Sequence, residues 1–172
     1  MFKVAGAFMI IIASGLIGLV IARNYSVRPQ QLRYLQSAVQ MLETEMLYGL
    51  TPLPLALQRV GKRLPYPVNH LFLHTSKTLV EGEGYTAGEA WAASLNELEE
   101  QSALLPEDLD TLLYFGQNLG GSDREEQSKN LLLIKEHLKN LEKKAETAKE
   151  KNQRLWQYLG FSLGAVVALI IL

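Results

Sequence analysis

The sequence predicts an all-α protein: a six-helix antiparallel bundle flanked by an N-terminal and a C-terminal transmembrane helix. Three observations carry that expectation. Both ends of the 172-residue chain are apolar runs without a charge. Between them, apolar residues recur at steps of three and four, the period of a helix with one buried face. Nowhere does an apolar/polar alternation of strand character appear.

The first run, Val4 to Ala22 (VAGAFMIIIASGLIGLVIA), has 19 residues. About 20 apolar residues span a bilayer core as a helix, whereas a cleaved signal peptide has an apolar core of roughly 7–15. An uncleaved anchor over 1–27 is the expectation. The last run, 155–172 (LWQYLGFSLGAVVALIIL), opens on Trp156 and Tyr158, amphipathic rings suited to the headgroup region. Small residues stand at helical spacing in each run: Ser14 and Gly18 in the first, Gly160 and Gly164 in the second. Such pairs let membrane helices approach closely. Of the 17 Lys and Arg, 16 lie between Arg23 and Arg154. The excess of cations beside the apolar runs places the 28–154 segment on the cytoplasmic side and makes the whole a membrane hairpin.

Within that segment the first helix starts at Pro29, with Leu32, Leu35, Val39, Leu42 and Met46 on one face, and ends at Gly49. TPLP at 51–54 breaks the chain, Thr51 serving as N-cap for a second helix, Leu53 to Arg63. LPYP at 64–67 breaks it again before a third helix, Val68 to Val80. In the loop EGEGYTAGE, Thr86 and Glu89 form an S/T-x-x-E capping box for a fourth helix. Pro106 opens a fifth, Glu107 to Leu119. A glycine stop at Gly120 and a second capping box, Ser122 with Glu125, open a sixth.

The sixth helix carries a seam of Leu131, Ile134, Leu138, Leu141, Ala145, Ala148 and Leu155 and meets no breaker before the apolar end. At about 1.5 Å per residue it would stand roughly 50 Å off a bilayer. The small alanines suit close packing against the helix that starts near Pro29.

Little in the sequence points to chemistry. There is no cysteine, which excludes disulfides, thiolate metal sites and a cysteine nucleophile. The 17 basic and 18 acidic residues balance to a net charge of -1, against a generic nucleic-acid partner. His70 and His74 sit four apart, a spacing two metal ligands can share, yet no third ligand is evident and no glutamate follows His70. Glu81, Glu83 and Glu89 are too few for a calcium loop and are assigned to solvent or capping. Glu43 and Glu45, with Arg33 nearby in sequence, are assigned to a solvated face over a partner-facing or intra-bundle ion pair. The glycines of FGQNLGGSDREEQ follow a helix, with no lysine before Lys129, so they make a turn and not a phosphate loop. No catalytic, cofactor-binding or metal residue is assigned. The loops on a rigid scaffold become the candidate partner contacts: Gly49, Pro52, Gly84, Tyr85, Gly120, Gly121 and Asp123.

The stretches LRYLQSAVQMLETEMLYGLTPLPLAL, LVEGEGYTAGEAW and LLYFGQNLGGSD resemble, in order and spacing, the soluble domains of inner-membrane platform proteins of type II secretion and type IV pilus systems. The chain is too short for two such domains. With one span on either side and the run FGQNLGGSDREEQ, it is similar over its full length to the stage III sporulation protein AB family of endospore-forming bacteria. The resemblance implies a six-helix bundle and a scaffold role in the complex between mother cell and forespore, in the mother-cell membrane. It further implies a cytoplasmic secretion-type ATPase and other membrane subunits as partners. A homo-oligomer is compatible with it. Two rival readings are a simple tether that dimerises through its spans, and a membrane-anchored enzyme built on the glutamates or the two histidines.

Overall fold

In the computed structural model the described residues are 26–82, 84–120 and 124–171, the last stretch as backbone alone at 124, 153–154 and 156–171. They are all helical apart from short connections, and no strand occurs among them. The elements are α1 over 26–43, closing in a π-turn Thr44–Tyr48, then α2 (Leu53–Gly61), α3 (Val68–Glu81), α4 (Ala87–Gln101), α5 (Pro106–Gln117) and α6 (Arg124–Ile171).

The chain divides into two compact units, 30–142 and a unit formed by 1–29 with 143–172. In the first, the core is drawn from every helix: Leu32, Leu35 and Leu42 of α1, Leu57 of α2, Leu71 and Phe72 of α3, Trp91 and Leu98 of α4, Leu112 of α5, Leu131 and Leu138 of α6, all fully buried. The 3.6-residue period put each on its helix's inner face, and burying a large apolar side chain contributes roughly 1.5–3 kcal/mol. In the second unit Ala145 is buried, whereas Leu155 is 49% exposed and leaves the predicted seam.

Cross-helix bonds show α1 and α6 to be antiparallel. Arg33 and Gln36 both donate to Glu142, at 3.1 and 2.8 Å, while Lys135 pairs with Glu43 at 2.7 Å. As the number rises along α1 it falls along α6. The expected pairing of these two helices is therefore present within 30–142.

Two local expectations need correction. Helix α1 is already formed at 26, so Pro29 is its fourth described residue and does not open it. Thr51 caps nothing: Pro52 holds the N-cap position of α2 without a side-chain bond, and Thr51 donates instead to Glu45 Oε2 at 2.9 Å. Helix α1 does end at Gly49, as expected, though without the left-handed glycine found at many helix ends. Gly49 stays right-handed at φ -78°, the last turn widens into the π form, and Leu50 takes the left-handed conformation at φ 48°.

The start of α4 follows the sequence. Thr86 accepts from the Glu89 amide at 3.3 Å while Glu89 Oε2 accepts from the Thr86 amide at 2.8 Å, the reciprocal capping box. Those bonds from Thr86 hold the Glu89 carboxyl below the usual carboxylate range. Gly120 is left-handed at φ 79°, but α5 already ends at Gln117 with Asn118 as its C-cap, so the glycine turns the chain after the helix has stopped, two residues short of the expected Leu119. Ser122, and with it the second capping box, lies outside the described residues.

Candidate functional site

The candidate partner contacts fall in three turns. Gly49 and Pro52 border the turn between α1 and α2, where Tyr48 and Leu50 are 79% and 72% exposed. Gly84, at φ 87°, and the exposed Tyr85 form the turn before α4. Gly120 closes the third turn, and Gly121 and Asp123 lie outside the described residues. Gly120 borders a shallow depression of about 670 Å³ together with Thr86, Gly88 and Gln117. The second and third turns therefore meet at one place, the N-terminus of α4 beside the C-terminus of α5. Spacing in sequence gave no sign of that meeting. Gly88 permits it, since a Cβ there would stand 3.3 Å from the Gln117 Cα.

The membrane-packing residues are placed differently. Ser14 and Gly18 lie outside the described residues, while Gly160 and Gly164 lie on the helical backbone of α6. Among the described residues no helix is long and apolar enough to cross a membrane.

The groups weighed for chemistry hold the bundle together. Glu43 and Glu45 are not on a solvated face: Glu43 reaches Lys135 on α6, and Glu45 accepts from Arg59 on α2 at 2.8 Å. Both carboxylates are largely covered because α1 lies between its two partners, a tertiary fact that helical periodicity does not report. The bond from Arg59, then that from Thr51, hold the Glu45 carboxyl below its ordinary value. His70 and His74 stack at 5.5 Å between ring centroids, and Glu97 of α4 approaches them at 3.4 and 3.6 Å. The opposite face of His74 meets Ser94 Oγ at 3.0 Å. Among the described residues no group of three or more His, Cys, Asp or Glu could hold a metal ion.

Two structural residues escaped the sequence reading. Asp108, fully buried, accepts from the Leu105 amide at 2.8 Å and so caps α5. Its signal was there, a carboxylate in the first turn after Pro106. Gly116 gives Trp91 its place: a Cβ on Gly116 would stand 2.0 Å from Trp91 Cδ1. The indole packs edge-on against Phe72 and Phe115 and donates to the Leu112 carbonyl at 2.9 Å. In the run FGQNLGG, then, Gly116 is a packing requirement and Gly120 a left-handed turn residue beyond the end of α5.

The family model for stage III sporulation protein AB matches residues 3–172. The chain belongs to the stage III sporulation protein AB family. The stage III sporulation protein AB of Bacillus subtilis (strain 168) is 37% identical to it over 172 residues, 100% of both chains. A solved structure of stage III sporulation protein AB superposes with a TM-score of 0.68 at 38% identity, covering 73% of this chain and 98% of that one. Membership of the stage III sporulation protein AB family connects the bundle to sporulation, as the sequence resemblance had implied. It also fixes the frame for the three turns: whatever they contact, they do so in a sporulation protein.

Proposed function

We propose that the chain is a non-enzymatic platform subunit of a secretion-like complex required for endospore formation. The observation that carries the proposal is α6. One unbroken helix of 48 residues supplies Leu131, Leu138 and Leu141 to the core of the 30–142 bundle and continues to Ile171, through a sequence without a charge from Leu155 onward. A helix shared by a bundle and an apolar terminus suits a part that passes force or position between a membrane and a cytoplasmic machine. Residues 1–27 and 155–172 are the membrane anchors, packed through Ser14, Gly18, Gly160 and Gly164, and 28–154 is the cytoplasmic bundle. The membrane is that of the mother cell around the forespore.

The partners of this reading are a secretion-type ATPase and the other membrane subunits of the sporulation complex. The turns at Gly49 and Pro52, at Gly84 and Tyr85, and at Gly120, Gly121 and Asp123 are the contact points, because turns on a rigid scaffold can be read without disturbing its core. A scaffold role also fits the chemistry already described, in which Glu43, Glu45, Glu89 and Asp108 are each bonded within the fold. Capture of the intact protein from membranes of sporulating cells tests the proposal. A co-purifying ATPase and multi-span proteins are expected, and recovery of the chain alone would overturn it.

A further inference from the structure

A net charge of -1 conceals a strong segregation of charge along the chain. Between 46 and 80 there are four cations, Arg59, Lys62, Arg63 and Lys77, and no acid. Between 78 and 123 there are ten acids and no Lys or Arg. The first stretch contributes the turn into α2, the second α4 and α5.

Each stretch also exposes apolar side chains beside its charges. Leu50 and Leu55 project from the α1–α2 turn and from α2. Arg59, one helical turn beyond Leu55, is paired with Glu45, and Lys62 and Arg63 are exposed just after it. Leu50 is held out at φ 48°, a conformation unfavourable for leucine, with its side chain 72% exposed. A groove of about 450 Å³ runs between α5, which belongs to the acidic stretch, and α6, which contributes Asn130, Leu133, Ile134 and His137. Its floor is Phe115 and Ile134, its walls Tyr114 and Leu133, and Asp110 stands at its rim. Glu107, one turn before Asp110, is also exposed. One surface is thus an apolar knob with the exposed Lys62 and Arg63 beyond it, and the other an apolar groove with Asp110 and Glu107 along its α5 side.

We propose that the groove between α5 and α6 receives the α1–α2 knob of a second copy of this chain. Leu50 and Leu55 would enter between Tyr114 and Leu133, with Arg63 and Lys62 against Asp110 and Glu107. Complementary charge in register with complementary apolar surface favours this pairing over either surface meeting itself, where like charges would face. Because knob and groove are different surfaces, the contact is heterologous and propagates head to tail. The inference stands on these two surfaces and is independent of the platform role.

The absence of native cysteine makes the test direct. Full-length chain carrying Leu50→Cys is mixed, in excess detergent micelles, with full-length chain carrying Tyr114→Cys, and disulfide formation is followed. The mixture should crosslink at least about tenfold faster than either variant alone, a discrimination of the size that charge complementarity gives. Adding Asp110→Lys to the Tyr114→Cys chain should remove that advantage, and adding Arg63→Glu to the other chain should restore it. Both charge positions are exposed, and unchanged far-ultraviolet circular dichroism verifies folding. A mixture no faster than the single variants, or a charge swap that fails to restore the rate, overturns the proposal; a rate restored only by an added cell lysate does so too, because the groove's occupant would then be another protein.

Discussion

At Gly116 a single hydrogen atom decides whether the centre of the bundle can close. Trp91 fills the space where a Cβ would be, 2.0 Å away, and it is held by a bond to the Leu112 carbonyl that fixes its depth. Gly116→Ala is therefore expected to cost about 3 kcal/mol, the upper part of the range for overpacking a core, read as a lower midpoint in urea unfolding. Gly120→Val meets a different obstacle. Its φ of 79° costs a β-branched residue on the order of 1–2 kcal/mol, and the added atoms approach Leu53, 2.9 Å from the Cβ position. Stability should fall by at least that amount. Leu50 presents the reverse case, since a left-handed leucine gains from becoming glycine. Relief of about 1 kcal/mol offsets the roughly 0.5–1 kcal/mol entropy cost of glycine, so Leu50→Gly should leave the thermal midpoint unchanged or raised. Gly120 could be read from its place after a helical run. Gly116 and Leu50 could not, because both depend on what lies across space or on how the preceding turn unwinds.

Each helix is set by its ends as much as by its face. The Thr86–Glu89 box needs only residues three apart, so it was visible in sequence and is present in the fold. Thr86→Ala should lower stability by about 1 kcal/mol, the usual cost of losing an N-cap, measured by chemical unfolding. Glu89 adds a pH dependence. Its carboxyl is lowered in the folded state by the bonds to Thr86, so its contribution is present above the ordinary carboxylate value and is lost as pH falls through the folded one. Glu89→Gln should accordingly lower stability near neutrality, leave it little changed at acid pH, and so flatten the acid limb of the stability curve. The α5 cap was missed for a plain reason: Leu105 occupies the position where a polar cap is sought, and the bond comes back from Asp108 instead. Glu43 and Glu45 were misread because charge on an amphipathic helix defaults to solvent, whereas α1 has α2 on one side and α6 on the other. Period reveals which residues are buried but not which polar residues sit at the edges of the interfaces.

For the whole molecule, the six helices and the antiparallel pairing of α1 with α6 follow from period, breakers and order, and these are properties of sequence alone. The close approach of the start of α4 to Gly120 and the end of α5 is a product of packing, permitted by Gly88, and no spacing rule anticipates it. The apolar ends support the membrane hairpin through composition, and the family connects the bundle to sporulation. The central claim is that the bundle is the working part, joining a cytoplasmic ATPase to membrane subunits. It is tested most directly by measuring the membrane-bound ATPase in sporulating cells when 28–154 is replaced by a flexible linker of equal length, the apolar ends being kept. The ATPase should fall to the level of cells that lack the chain altogether. Undiminished recruitment by the two apolar ends alone would contradict the account.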